Sequence, residues 1–380
     1  MSRIRQALGA LGVGVGAAVF ALVGWVGWTF RGGELYPDRS GPPRLGDAAL
    51  ELVVSHPEPI GNLAVAADGR VFFTAHPEGR PRGALLWVAD EGLTRPWPDD
   101  ATQALFVTPL GARIDGQGRL WVIDHGQHAL MGATLWAFDT TTGAVLHQHR
   151  LDSDVAPMGS MLQDLTISAD GSTAFVADIS VVRREPAVIV VNTSTGAARR
   201  LLSGHPAITA QPWLVRAPGG NLRFFGGLLT LTLGLDGIAL SRDGEWLWLA
   251  AMCHDTVFRV PTAALMDETL SEAALGAQLV AVGKKPLNDG ITTDDGGAVL
   301  IGDVEHQSIS RITEDGAAET LLRSPRLRWV DGLSFGPDGA LYIADSALPE
   351  AMLRSHAHID AQAPYFIWRF TPPTAGAPGQ

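Results

Sequence analysis

Five positions hold the residue types on which chemistry could rest. Asn62, Asp164, Asp236, Asp289 and Asp331 each open a short apolar alternation, and Asp236, Asp289 and Asp331 each precede a glycine. Carboxylates gathered at one point raise each other's pKa or need a cation among them. A second acidic set, Asp124, Asp178, Asp303 and Asp345, closes the alternation that follows. An Asp can also bond the backbone N–H groups of its own loop. For the second set, bracing a loop is the expected role; for the first, both roles stand. Seven of the 11 histidines, His76, His125, His128, His254, His306, His356 and His358, follow the same alternations. Imidazole suits transition metals and proton transfer near neutral pH, but loop histidines that never converge do neither. Cys253 and His254 are neighbours along a strand end, where side chains point in opposite directions. The chain carries no G-x-S-x-G, no H-E-x-x-H and no phosphate-binding glycine loop.

What positions these residues is a repeat. An apolar alternation, a turn ending in Gly and a second strand recur six times. The copies include GNLAVAADGRVFFTAH from Gly61, LGARIDGQGRLWVIDH from Leu110 and DGLSFGPDGALYIADS from Asp331. The turn glycines are Gly69, Gly118, Gly171, Gly244, Gly297 and Gly339; by subtraction they lie 49, 53, 73, 53 and 42 residues apart. A period of ~40–50 residues with four strands each is a propeller blade. A β-sandwich also has many short strands, but gives no reason for one phrase to recur six times. The spacing predicts an all-β six-bladed β-propeller over 48–372, with an insertion within Gly204–Gly234. The sixth blade lacks a fourth strand of its own, and Ala49–Ser55 is expected to supply it and close the ring. In such a fold the starts of innermost strands and the ends of second strands share one mouth, so both acidic sets face it.

The composition bounds the partners. The chain has 380 residues, is 46% hydrophobic and carries a net charge of −12, so a nucleic-acid partner is not expected. Its single cysteine, Cys253, forms no intrachain disulfide. Residues 7–30 are an uncharged run preceded by Arg3 and Arg5 and ending in Trp25, Trp28 and Phe30. About 20 apolar residues span a bilayer as a helix, and a signal-peptide core is shorter, ~7–15 residues. The expectation is one N-terminal transmembrane helix at 7–30. Residues 1–6 would be cytoplasmic and the propeller periplasmic or extracellular. Residues 31–47, rich in Gly and Pro, read as a linker or wrapping arm, and 373–380 as a flexible tail.

The phrases LDGIALSRDGEWLW, FRVPTAALMDETLS, GKKPLNDGITTDDGG and WVDGLSFGPDGALYIADS, with the terminal PYFIWRF, resemble the major royal jelly protein/yellow family. That family is related to the gluconolactonase/senescence-marker propellers. The resemblance covers roughly residues 48–372 and implies six blades. It implies no single activity: yellow proteins are linked to melanin-pathway indoles, related insect proteins bind amines, and the gluconolactonase branch hydrolyses lactones with a divalent metal. By position, Asp236 and Asp289 match that branch's metal ligands, with calcium the foremost candidate ion, and Gln163-Asp164 matches a pair near its substrate, making Asp164 the catalytic candidate. The branch's first-blade Glu has no counterpart, since Gly61-Asn62 stands there.

Three functions follow as expectations. The first is a membrane-tethered propeller binding a small, cationic or indolic ligand at the acidic mouth. Asn62, Asp331, His125, His254 and His306 would be ligand-binding residues, with Trp213, Trp329 and Phe335 near the mouth loops. The second is a metal-assisted lactonase-type hydrolase or tautomerase, with the cation polarising a carbonyl. The third is a protein-interaction scaffold.

Overall fold

Six four-stranded antiparallel sheets are arranged as blades in the computed structural model, which describes residues 17, 19–30 and 32–380. The innermost strands are Ile60–Val65, Pro109–Ile114, Leu162–Ile167, Leu235–Leu240, Asn288–Thr293 and Val330–Phe335. Every residue of all six is buried, because each strand is flanked by neighbouring blades on both faces. The apolar alternation of each blade packs against the next in a series of clusters, for example Phe72, Val88, Ala112, Val122 and Phe138 between the first two blades. Glu51–His56 pairs antiparallel with Tyr365–Phe370, Glu51 opposite Arg369, as the outermost strand of the sixth sheet.

Each innermost strand has a register shift within its first residues, as between Leu235 and Gly237 and between Asn288 and Ile291. A bulge bends the strand and re-aims a side chain; here it lies beside the residues predicted to form the site. The adjoining glycines are required by space. A Cβ at Gly290 would lie 1.7 Å from Asp331 O, and one at Gly237 would lie 3.0 Å from Asp289 O. Asp-Gly thus brings consecutive innermost strands into backbone contact and their acidic side chains with them.

The insertion forms a cap on the mouth face. Val215, Leu222, Leu231 and Leu233 pack with Met252, Cys253, Val304, Trp329 and Leu348. The preceding arm binds to it: Glu34 and Leu35 pair parallel with Trp213 and Leu214, and the Tyr36 hydroxyl donates to Lys285 O at 2.6 Å. Leu45 then bridges to Leu322 on the fifth blade.

At the opposite face residues 373–380, read as a flexible tail, lie across the channel. Phe335 N donates to Gln380 O at 2.8 Å, and Gln380 Nε2 donates to Ile114 O at 3.1 Å. The open ends of the innermost strands supply these partners, which a reading of Pro/Gly content alone does not reveal. Phe335 ends its strand and therefore lies at this end, not among the mouth loops. Most of the expected membrane helix, with Arg3 and Arg5, lies outside the described residues. Residues 19–29 are helical, and among the described residues no helix is long and apolar enough to cross a membrane.

Candidate functional site

Four carboxyl groups converge below the cap: Asp164, Asp236, Asp289 and Asp331, each no more than 3% exposed. Their partners differ. Asp289 accepts from Gln163 Nε2 at 3.0 Å and from Trp329 Nε1 at 2.6 Å, one donor on each oxygen. Asp164 accepts from Asn62 Nδ2 at 3.2 Å and Leu165 N at 2.9 Å on one oxygen, and faces Arg113 at 3.3 Å on the other. Asp236 Oδ2 is buried with no hydrogen-bond partner among the described residues. Asp331 Oδ2 lies 3.4 Å from His76 Nε2. Because His76 Nδ1 accepts from Glu78 N, the neutral ring carries its proton on Nε2, facing Asp331.

Burial raises the pKa of all four acids. For Asp236 the charges of Asp289, Asp331 and Asp164 add to burial. The Asp236–Asp289 pair therefore holds a proton where isolated carboxyls would have lost theirs. Burial also lowers His76 to about 4 and His125 to about 3, so both are neutral near pH 7.

Arg113 was not singled out from the sequence. It lies on the second innermost strand, buried, and spans the channel: besides Asp164 it approaches Asn62 Oδ1 at 3.4 Å and Ile291 O at 3.4 Å. The signal was present, since Arg113 interrupts an apolar run in the one copy where Gly111-Ala112 replaces Asp-Gly. Lys285 is a second unforeseen buried cation. Its Nζ bonds Pro286 O at 3.1 Å, Met252 O at 3.4 Å and Asn288 Oδ1, and burial pushes it down to about 7. It ties the segment just before Asp289 to Met252 of the cavity wall.

Above the acids is a cavity of about 250 Å³. Asp236, Asp289 and Gln163 form its floor; Leu231, Leu233, Met252, Leu348 and Met352 form its walls; His76 and His128 stand at its side. His125 stands behind His128, their ring centroids 5.3 Å apart, and His254 and His306 are held in their own loops. His125 Nδ1 accepts from His128 N at 3.0 Å. His254 Nδ1 accepts from Thr256 N at 3.0 Å. His306 is paired with Asp303 at 3.0 Å, and that contact raises its pKa. None of the three lines the cavity. Cys253 accepts from Leu233 N, and burial pushes its thiol up to about 12, too high for a nucleophile.

The strand-end acids brace loops. Asp124 accepts from Val107 N, Thr108 N and Gly126 N, Asp178 from Met161 N and Ser180 N, Asp303 from Glu305 N and His306 N, and Asp345 from Trp329 N.

A larger cavity of about 590 Å³ lies at the opposite face, lined by turn residues and the tail. Its floor offers no cluster of bare acids, so the chemistry points to the smaller one.

A calcium ion takes six to eight oxygen ligands at ~2.3–2.6 Å. Among the described residues no group of three or more His, Cys, Asp or Glu side chains is placed to hold a metal. The two donors on Asp289 and three on Asp164 take up part of the oxygen capacity that an ion would use. In this arrangement the acids are held by N–H groups and a guanidinium.

Residues 107–347 match the family described as major royal jelly protein. No match was found among curated proteins. The fold is similar to a gluconolactonase from Xanthomonas campestris, with TM-score 0.56, 15% identity and coverage of 90% of this chain and 98% of that one. It is also similar to a calcium-binding protein, regucalcin, from Agrobacterium tumefaciens, with TM-score 0.55, 14% identity and coverage of 88% and 96%. A luciferin-regenerating enzyme gives TM-score 0.56 at 10% identity over 87% and 97%. At these identities the likeness is one of fold.

Proposed function

The chain belongs to the major royal jelly protein family, and from that premise we propose that it is a tethered propeller that binds a small, cationic, aromatic ligand such as an arylalkylamine. The observation that carries this reading is the bare, buried Oδ2 of Asp236 at the floor of an apolar-walled cavity. An ammonium group placed there supplies the missing donor and takes the place of the proton that the Asp236–Asp289 pair otherwise holds, while leucine and methionine side chains cover the ring. The volume lies below the ~300–1,000 Å³ common for drug-sized ligands, so the ligand is small. The tether is the apolar run over 7–30. Arg3 and Arg5 before it favour a cytoplasmic N-terminus and a propeller on the periplasmic or extracellular side.

The test is calorimetric titration of the full chain with tryptamine and with neutral 3-methylindole. Preferential binding of the amine, lost in Asp236→Asn, is the expected result. Equal binding of the two, or amine binding unchanged in the variant, overturns the reading.

A second reading keeps a divalent cation, because Asp236 and Asp331 each present an oxygen without a hydrogen bond. Asp289 would then have to exchange its Gln163 and Trp329 donors for the ion. A calcium-dependent rise in melting temperature, abolished by chelator, would favour this reading over the first.

A further inference from the structure

The mouth face carries a ring of exposed apolar tips. Leu130, Met158, Val182, Phe225, Leu228 and Leu353 project from five different loops, with Phe225 72% and Met158 70% exposed. These loops adjoin one another. Gly159 N donates to His128 O, and a Cβ on Gly159 would meet Val182 Cβ at 3.4 Å. Val182, Leu353 and the hairpin residues Phe224 and Leu229 themselves border the cavity. Basic residues stand beside the tips: Arg183 follows Val182, Arg223 precedes the Phe225 hairpin and Arg354 follows Leu353; all three are exposed.

The N-terminal apolar helix arrives at this same face. Phe30 is buried there, Thr230 N donates to Phe30 O at 3.1 Å, and Arg184 lies 5.4 Å from the Phe30 ring. A Cβ on Gly27 would be 3.2 Å from Leu228 Cδ1. Beyond that contact Phe20, Leu22 and Trp25 of the helix are exposed. Apolar tips flanked by arginines, continuous with an apolar helix, match the chemistry of a membrane interface: the tips enter the acyl boundary and the guanidinium groups meet headgroup phosphates. Scattered single apolar residues need no explanation, but exposed apolar tips on five loops of the face that holds the cavity do.

We propose that the mouth face lies on the lipid bilayer, so that the cavity opens toward the membrane and takes its ligand from the lipid phase. This rests on the reading of the N-terminal run as a tether. The short arm between Phe30 and the cap, bound at Glu34–Leu35 and Tyr36, keeps the mouth beside the bilayer instead of letting it swing away. An amphipathic amine, which concentrates in the headgroup region, would reach Asp236 without crossing bulk water.

The experiment reconstitutes the full chain in phosphatidylcholine/phosphatidylglycerol vesicles. Single spin labels are placed at Val182→Cys and Leu353→Cys on the mouth face and at Thr141→Cys on the opposite face; the native Cys253 is buried. Flotation reports the tether, and relaxation by oxygen against a water-soluble nickel complex reports the docking. The expected result is flotation of all variants, with an oxygen-to-nickel accessibility ratio several-fold higher at 182 and 353 than at 141. A chain that floats with equal ratios at the three sites overturns the docking alone. A chain that does not float overturns the tether and the docking together. Strong dipolar coupling between labels on two molecules, with low access to both relaxants, assigns the ring to a second copy and also overturns the proposal.

Discussion

At the far end of the channel Asp115 accepts from Gln117 N, Arg119 N, Arg119 Nε and Trp121 Nε1 at 2.7–3.1 Å. At the mouth Asp236 keeps one oxygen bare and faces three other carboxyls. Both residues are buried aspartates at the channel ends of innermost strands. One closes a turn with every lone pair in use; the other stands in a group where acids outnumber the cation in contact with them. The first arrangement holds a backbone in place, and the second leaves unmet demand for a proton or a positively charged guest. Saturation by donors, more than acidity or burial, separates a structural carboxylate from a site.

The comparison breaks most visibly at Arg113. Arg113→Met removes the guanidinium that balances Asp164 and leaves a buried charge uncompensated. The expected loss is about 3–5 kcal/mol of unfolding free energy, measured by urea denaturation at pH 7; a loss no larger than that of a surface arginine would remove Arg113 from the account. Asp115→Ala strands an indole N–H and two backbone N–H groups at the other end, and is expected to cost roughly 1–3 kcal/mol with tryptamine binding unchanged. If binding falls with stability, the two ends are not independent.

Asp236→Asn should have the smallest effect on the empty protein, and an opposite sign. Burial and the neighbouring carboxylates raise the folded pKa of Asp236 well above the ordinary aspartate value of 3.8. The fold therefore binds a proton that the unfolded chain has released. The stability this contributes is full below about pH 3.8 and is lost as pH rises through the elevated folded value. An amide does not titrate, so the variant should match the wild type in acid and equal or exceed it at neutral pH. Melting curves from pH 4 to 8 in buffer without ligand check this; a variant that melts markedly lower at pH 7 makes Asp236 a structural residue like Asp115.

Much of this was legible in the sequence for a physical reason. A blade is a local phrase of alternation and turn, repeated, so six copies announce six sheets. The convergence of Asp164, Asp236, Asp289 and Asp331 follows from their common place in that phrase. What escaped were residues whose role depends on partners far along the chain. Arg113 reaches Ile291 across the channel, and Lys285 meets Tyr36 of the arm only through its backbone carbonyl. The loop histidines divide: His76 and His128 reach the cavity, and others do not. A shared face does not imply a shared point, and His254 and His306 are tied to their own loops. Phe335 shows the limit of assigning a face by loop proximity, since one end of a strand is at the mouth and the other is not.

The pairing of Glu51–His56 with Tyr365–Phe370 has a consequence for how the molecule is made. Glu51 and Arg369 are neighbours across the sheet, yet nearly the whole chain must be synthesised between them. Contacts of such separation form late and carry a large loop-closure cost. Until Phe370 has emerged, five blades can assemble but the ring stays open, with an edge strand at each side of the gap ready to pair with another chain. A prematurely terminated product would therefore be marked as incomplete by its own unpaired edges. Closure of the circle is in this sense a length check on translation, made by the last strand against one of the first.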